Sequence, residues 1–112
     1  QATIRNSIIG LRSQIQRDAV VEDTVLMGAD YYEENATRPH EIPIGIGPEC
    51  HISGAVIDKN ARIGTNVIIS PFPRGTEENR QHWSIRDGIV VIPKSTVIPP
   101  GSVITPEKQN LA

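Results

Sequence analysis

Cysteine, aromatic residues and long apolar runs are all scarce in this chain of 112 residues. The single cysteine, Cys50, cannot form an internal disulfide and has no second thiol beside it for a metal site, which favours a reducing compartment. No apolar run approaches the roughly 20 residues that span a bilayer, so we expect no membrane partner. The formal net charge of -2 gives no bulk attraction to nucleic acid, so any anion site must be local.

The four aromatic residues, Tyr31, Tyr32, Phe72 and Trp83, all lie outside the segments that are rich in isoleucine and valine. This distribution predicts a core of aliphatic side chains arranged in narrow, repeated layers. The nine prolines and the many β-branched residues argue against helices.

Large aliphatic residues recur every six positions, which is neither a helical period nor that of a simple strand. The series are Ile9, Ile15, Val21 and Met27, then Ile46, Ile52, Ile57, Ile63 and Ile69, then Ile92, Ile98 and Ile104. Small or β-branched residues follow four positions later, at Ser13, Ala19, Val25, Cys50, Val56, Ala61, Val67, Thr96 and Ser102. The first two series share one irregularity, which is a step of five residues instead of six. It occurs from Ile4, just before the first series, to Ile9, and from Ile52 to Ile57 in the second series.

A six-residue unit can be a short strand plus a turn, with the large aliphatic residue pointing inward. Three such units close a triangular coil, and successive coils stack through parallel strand pairing. The repeat therefore predicts one all-β domain over residues 1–112, a parallel β-helix of about four coils, with Gly10, Gly47, Gly64, Asn60 and Asn66 at corners. A β-sandwich is the alternative, but it predicts alternation of polar and apolar residues without a six-residue phase.

Two segments interrupt the repeat, at about residues 28–45 and 70–84. We expect both to be loops on a rigid solenoid, where binding or subunit contacts commonly reside, although either could be a simple spacer. Asp30, Tyr31 and Tyr32 are expected to shape the first loop. Residues 105–112 are expected to form a loose tail.

Four segments resemble successive signatures of the ADP-glucose pyrophosphorylase family, which is also called glucose-1-phosphate adenylyltransferase. They are Met27 to Glu33, Ile42 to Gly47, Ile57 to Gly64 and Ile85 to Lys94, in this order and with similar spacing. The resemblance is to the C-terminal domain of the plant and cyanobacterial type. It implies a hexapeptide-repeat solenoid with a left-handed coil, an exception to the usual right-handed crossover.

The resemblance also implies that catalysis in the family depends on a Gly-rich nucleotide-binding domain. This sequence contains no Gly-rich segment of that kind. In the full-length parent, ATP and glucose 1-phosphate give ADP-glucose and pyrophosphate with Mg²⁺, in glycogen or starch synthesis. We therefore expect no catalytic residue, metal or cofactor in this chain, and an inactive fragment. The implied partners are its own catalytic domain and sister subunits in a homo- or hetero-tetramer, in a bacterial cytoplasm or a plastid stroma.

Lys59 and Lys94 match the two lysines that the family uses for its anionic effectors, phosphate and 3-phosphoglycerate. Each follows a predicted inward isoleucine by two residues, so both should point outward near a corner. Arg62 and Arg86 are candidates for a further bidentate contact. Pro93 before Lys94, and the inserts Asn35 to Glu41 and Pro71 to His82, depart from the family pattern and leave the identity of the effector open.

Two other functions remain open at this point. One is a hexapeptide acyltransferase, for which His51 or His82 would have to act as the base on coenzyme A substrates. The other is an assembly module without a ligand. His40, His51 and His82 have no spacing that suggests zinc. Cys50 occupies the small-residue position of its repeat and is expected in the core.

Overall fold

The computed structural model describes residues 2–30 and 42–110, and the regular structure in this part of the chain consists of short strands. These are β1 (Thr3–Arg5), β2 (Ile8–Ile9), β3 (Val20–Glu22), β4 (Val25–Leu26), β5 (Gly45–Ile46), β6 (His51–Ser53), β7 (Ala55–Ile57), β8 (Arg62–Ile63), β9 (Ile68–Ile69), β10 (Glu78–Asn79), β11 (Ser84–Arg86), β12 (Ile89–Ile92), β13 (Val97–Ile98), β14 (Val103–Ile104) and β15 (Gln109–Asn110). No helix long and apolar enough to cross a membrane occurs among these residues.

The strands form three sheets, one for each face of a triangular coil. Sheet A runs in the order β1-β3-β6-β9-β14-β15, sheet B in the order β10-β11-β12-β7-β4-β2, and sheet C in the order β13-β8-β5. The pairs from β1 to β14, from β2 to β12 and within sheet C are parallel, and Ile15 extends sheet C through an isolated parallel bridge to Ile46. Successive strands in a sheet belong to successive coils, which confirms the solenoid and excludes the sandwich.

The core consists of inward ladders of aliphatic residues, as the six-residue spacing predicts. In sheet A, Ile52 pairs in register with Val21 on one side and Ile69 on the other. In sheet B, Ile57 pairs with Leu26 and with Ile92. These side chains are buried, together with Ile46, Ile63, Ile98 and Ile104. Full burial of an aliphatic side chain contributes about 1.5–3 kcal/mol, so the ladders are the main source of stability.

The prediction that Met27 points inward is wrong, because Leu26 takes that position. Met27 is 42% exposed, whereas Leu26 is 3% exposed and pairs with Ile57. The step from Val21 to Leu26 is five residues, as it is from Ile52 to Ile57. The turn between sheet A and sheet B is therefore one residue shorter than the other turns in both coils.

The shorter turn also moves the small inward residue. Cys50, Ala61 and other predicted small positions are buried, but Val25 and Val56 are half-buried. Thr24 and Ala55, which come one residue earlier, are buried in their place.

The prediction of a wholly aliphatic core is also wrong. Phe72 and Trp83, both from the second interruption of the repeat, are 9% and 5% exposed and belong to the core cluster. This part of the chain is more than a loop, since β10, between the two aromatic residues, pairs antiparallel with β11, which follows Trp83 directly and pairs antiparallel with β12. This hairpin lies on the C-terminal edge of sheet B. It thereby supplies hydrogen bonds to a strand that would otherwise be an open edge.

The segment expected to be a loose tail contributes β15, which pairs antiparallel with β14 and covers the C-terminal edge of sheet A. At the N-terminal end, β1 and β2 are the edge strands of sheets A and B. Three large apolar side chains are exposed at this end: Ile4, Ile8 and Leu11. Within residues 2–30 and 42–110 the two ends of the solenoid thus differ, because two faces are covered at the C-terminal end and β1 and β2 remain edge strands at the N-terminal end.

Among the predicted corner residues, the two asparagines have the left-handed backbone that a corner can require, whereas Gly10, Gly47 and Gly64 have no positive φ. Asn60 and Asn66 have φ values of 62° and 59°, in the left-handed region that asparagine tolerates better than most residues. Gly64 meets a different demand, since a Cβ atom there would lie 2.6 Å from the Pro100 nitrogen of the next coil. Cys50 is buried beside this corner, as predicted, with its thiol donating to the Gly64 carbonyl oxygen at 2.9 Å. Burial raises the pKa of the Cys50 thiol, so it stays protonated at neutral pH.

Candidate functional site

Lys59 and Lys94 occupy the same corner of two successive coils. Each lysine follows an inward isoleucine by two residues, and these isoleucines, Ile57 and Ile92, pair in register. Neighbouring strands are about 4.8 Å apart, so the two side chains start from closely spaced points on the surface. Their exposed fractions are 46% and 59%. The prediction that both point outward near a corner is confirmed.

The backbone of this corner is fixed by hydrogen bonds within and between coils. The Lys59 amide donates to the carboxylate of the preceding residue, Asp58, at 2.6 Å. The Ser95 amide donates to the Lys59 carbonyl at 2.9 Å and the Asn60 amide donates to the Gly28 carbonyl at 3.1 Å. Three consecutive coils are therefore tied together at the point where the lysines leave the backbone.

A carboxylate from the preceding coil bridges the two lysines. Asp30 Oδ1 lies 3.3 Å from Lys59 Nζ, and Asp30 Oδ2 lies 3.6 Å from Lys94 Nζ. Asp30 is also joined to Asn60 twice: its amide donates to Asn60 Oδ1 at 2.9 Å, and Asn60 Nδ2 donates to Asp30 Oδ2 at 3.2 Å. We call Asp30, Lys59, Asn60 and Lys94 the corner cluster.

The corner cluster keeps its carboxylate ionised. The hydrogen bond from the Asn60 side chain and the adjacent Lys59 ammonium hold the pKa of Asp30 below its usual range, with a smaller contribution from Lys94. At neutral pH the cluster therefore carries two ammonium charges and one carboxylate charge. An approaching anion meets a net positive but already partly neutralised site.

Of the two candidate arginines, one lies near this corner and the other does not. Arg62 follows Lys59 by three residues, at the start of β8, and its Nη1 donates to the Ile42 carbonyl at 2.7 Å. Arg86, at the end of β11, lies opposite Ile89, and Ile89 begins β12 five residues before Lys94. Its guanidinium donates to carbonyl oxygens of Glu78 and Ile85 and to the side chain of Asn79.

Asp30 is the functional candidate that the sequence interpretation missed, since it was assigned only a role in shaping the first loop. The available signal was its spacing, because Gly28 is in register with Lys59 and Lys94, and Asp30 comes just two residues later. Tyr31 and Tyr32, grouped with it in the sequence, lie outside the described residues.

His51 and His82 take no part in the corner cluster. His51 Nε2 lies 3.6 Å from Glu22 Oε1 on the outer surface of sheet A, and His82 is exposed in the hairpin. His40 lies outside the described residues. Within residues 2–30 and 42–110, no group of three or more histidine, cysteine, aspartate or glutamate residues could hold a metal ion.

A cleft of about 340 Å³ lies along sheet C, away from the corner cluster. Its walls are mainly apolar and include Ile44, Pro48 and Pro100, and none of the lining residues is a lysine or an arginine. The cleft has no charge with which to bind a phosphate. The corner cluster is therefore the better candidate for an anion site.

Comparison with known proteins agrees with the fold and identifies a relative. The family model for the GLGC left-handed parallel beta-helix domain matches residues 1–103, which confirms the predicted handedness. The small subunit of glucose-1-phosphate adenylyltransferase from Triticum aestivum, described as chloroplastic/amyloplastic, is 47% identical over 108 aligned residues. The match covers 90% of this chain and 23% of the wheat protein. The chain thus spans about a quarter of the length of that relative.

Proposed function

Because the chain belongs to the family of GLGC left-handed parallel β-helix domains, we propose that it is the C-terminal, β-helical part of a glucose-1-phosphate adenylyltransferase. The 47% identity to the wheat small subunit supports this assignment. In the parent enzyme, ATP and glucose 1-phosphate are converted to ADP-glucose and pyrophosphate. The catalytic residues and the Mg²⁺ ion would belong to the part of the parent that this chain does not include.

Within that parent, the chain contributes part of an allosteric site for phosphate and 3-phosphoglycerate. The observation that carries this proposal is the stacking of Lys59 and Lys94 at one corner of successive coils. Two ammonium groups on neighbouring coils can each donate to a different oxygen of one phosphate group. Because the chain as a whole is slightly acidic, this attraction is local and does not depend on net charge.

Arg62 is close enough in sequence to border the site, and its guanidinium donates to the Ile42 carbonyl. Arg86 is left out of the proposed site, because the strand register puts it opposite the far end of β12. The remaining contacts to the effector would come from the parent's catalytic domain or from a sister subunit in the tetramer.

The exposed N-terminal coil is the surface that we propose for contact with the rest of the parent or with another subunit. Among the described residues, β1 and β2 are the edge strands of their sheets, and Ile4, Ile8 and Leu11 are exposed beside them. The plastid stroma is the proposed compartment, on the basis of the chloroplastic/amyloplastic wheat relative.

The test uses the longer protein that contains this chain. It should release pyrophosphate when supplied with ATP, glucose 1-phosphate and Mg²⁺, and phosphate and 3-phosphoglycerate should change the rate. Lys59→Ala and Lys94→Ala should raise the effector concentration needed for half of the response, whereas Lys108→Ala, at the one other lysine of the chain, should not.

The contrary result would be thiol release from acetyl coenzyme A in the absence of pyrophosphate formation. This outcome would favour the acyltransferase alternative. Neither the matched family nor the wheat relative is described as an acyltransferase. An active adenylyltransferase that ignores phosphate and 3-phosphoglycerate would keep the parent assignment and remove the allosteric one.

A further inference from the structure

We propose that the Asp30 carboxylate is a built-in competitor for the anion site, so that an anionic ligand must displace it from Lys59 and Lys94 in order to bind. This inference rests on the proposed anion-binding function of the two lysines. It adds a residue that weakens the site and sets the class of ligand that the site accepts.

The geometry of the carboxylate is that of a stand-in for a ligand. One oxygen faces Lys59 Nζ at 3.3 Å, and the other faces Lys94 Nζ at 3.6 Å. A phosphate group that bridges the two ammonium groups would have to use the same space. Both distances exceed the roughly 2.7–2.9 Å of a tight charge-assisted hydrogen bond, so the carboxylate fills the site without holding it firmly.

The competitor is held next to the site by bonds that do not involve the lysines. The Asp30 amide donates to Asn60 Oδ1, and the Asn60 amide donates to the Gly28 carbonyl. These two contacts can persist when the carboxylate swings away from the ammonium groups, although the bond from Asn60 Nδ2 to Asp30 Oδ2 is then lost. The side chain therefore remains at high effective concentration beside the site and can return when the ligand leaves.

Charge then determines which ligands can compete. Two lysines and one carboxylate leave a net charge of +1 at the cluster, counted from its ion pairs. A monovalent anion that replaces Asp30 substitutes one single charge for another and gains little. A divalent phosphate or phosphate ester brings a second charge and more acceptor oxygens, so it can displace the carboxylate with a net gain. The accepted class is therefore multivalent oxyanions.

The experiment is a calorimetric titration, with inorganic phosphate at slightly alkaline pH, of the longer protein that contains this chain, because the other contacts to the ligand belong to the rest of that protein. Asp30→Asn keeps the size of the side chain and an oxygen acceptor for Asn60 but removes the charge. We expect its dissociation constant for phosphate to fall by about threefold to tenfold, the range that two exposed ion pairs allow. Asp30→Ser is a second variant with the same expectation.

The matched control is Asp23→Asn, which changes the net charge equally at a different corner. Asp23 accepts a hydrogen bond from Asn6 that an asparagine can also accept. Its dissociation constant for phosphate should stay close to that of the wild type. A uniform gain in all three variants would mean that net charge alone is responsible, and it would overturn the proposal.

The outcomes separate this inference from the function on which it rests. If the wild type binds phosphate through the two lysines and Asp30→Asn binds no tighter, the anion site stands and the competitor is rejected. If neither the wild type nor Asp30→Asn binds phosphate, the anion site of this chain and the competition are both rejected. Tighter binding by both Asp30 variants, lost again when Lys59→Ala and Lys94→Ala are added, supports both.

Discussion

Lys94 lies one coil beyond Lys59 at the same corner of the solenoid, because Ile92 and Ile57 pair in register two residues before them. In sequence the two lysines are 35 residues apart, and the parallel coils reduce this separation to about one strand spacing. The fold thereby converts two isolated surface lysines into one doubly charged feature. Asp30, from the coil before, completes it with both of its carboxylate oxygens.

The titration of Asp30 should report the corner cluster directly. Since its pKa in the folded chain is held below the usual range, its interactions stabilise the fold at neutral pH, and this contribution is lost as the pH falls through that lowered pKa. Asn60→Gly, which permits the same backbone conformation, should raise the titration midpoint most, and Lys94→Ala should raise it less. Carbon-detected NMR of the carboxyl group measures both, with Lys108→Ala as the unaffected control. Equal midpoints in Asn60→Gly and the wild type would contradict the assignment.

The inward ladders predict a large difference between two isoleucines that lie five residues apart. Ile63 is 1% exposed in the ladder of sheet C, whereas Ile68 is 42% exposed on the outer face of sheet A. Ile63→Ala should lower the free energy of unfolding by about 2–5 kcal/mol because it opens a cavity. Ile68→Ala should cost about 1 kcal/mol or less. Urea unfolding measures both values, and comparable losses would refute the inward assignment.

Gly64 tests the close approach of coils at a corner. A Cβ atom there would lie 2.6 Å from the Pro100 nitrogen and 2.8 Å from Pro100 Cδ, and these atoms cannot move away as a flexible side chain could. Gly64→Ala should therefore destabilise the chain by about 1–3 kcal/mol through overpacking. Thr65→Ala, at the next residue, serves as the control and should change stability by about 0.5 kcal/mol. Thermal unfolding measures the effect. If Gly64→Ala had the same melting temperature as the wild type, the predicted steric clash at this corner would be refuted.

The uncovered N-terminal coil predicts self-association of the isolated chain. Ile8 and Leu11 are 68% and 79% exposed beside the open edges of β1 and β2. The apparent molar mass in light scattering should rise with concentration, and Ile8→Lys combined with Leu11→Lys should suppress the rise. Ile68→Lys adds a charge to β9, which is paired on both sides, and should have no such effect. A constant molar mass equal to that of the monomer at every concentration would contradict self-association through these edge strands.

The repeat alone predicted the coil and most of its core, because a six-residue period constrains which residues can share a face. Ile46, Ile52, Ile57, Ile63 and Ile69 are buried as the spacing requires. The six-residue spacing predicted the wrong inward residue at Met27, because the shorter turn after sheet A shifts the inward position to Leu26. The same five-residue step was visible from Ile52 to Ile57, so the correction could have been made from the sequence.

Other features depend on contacts that no local pattern encodes. Phe72 and Trp83 are buried because the second interruption of the repeat, which includes the β10–β11 hairpin, folds onto the end of the solenoid. The strand β15 forms because β14 offers it an unpaired edge. The lysines of the site were predicted from the resemblance, and their outward direction from the repeat. Asp30 was missed because its role arises only when three coils are stacked.

The most direct test of the two-lysine anion site is the binding of inorganic phosphate to the longer protein that contains this chain, measured by calorimetry in three proteins. These are the wild type, the double variant Lys59→Ala/Lys94→Ala, and Lys108→Ala as the matched lysine control. The account predicts that the double variant binds phosphate about tenfold more weakly or worse, because two charge-assisted contacts are lost, while Lys108→Ala binds like the wild type. Equal dissociation constants in all three proteins would contradict it.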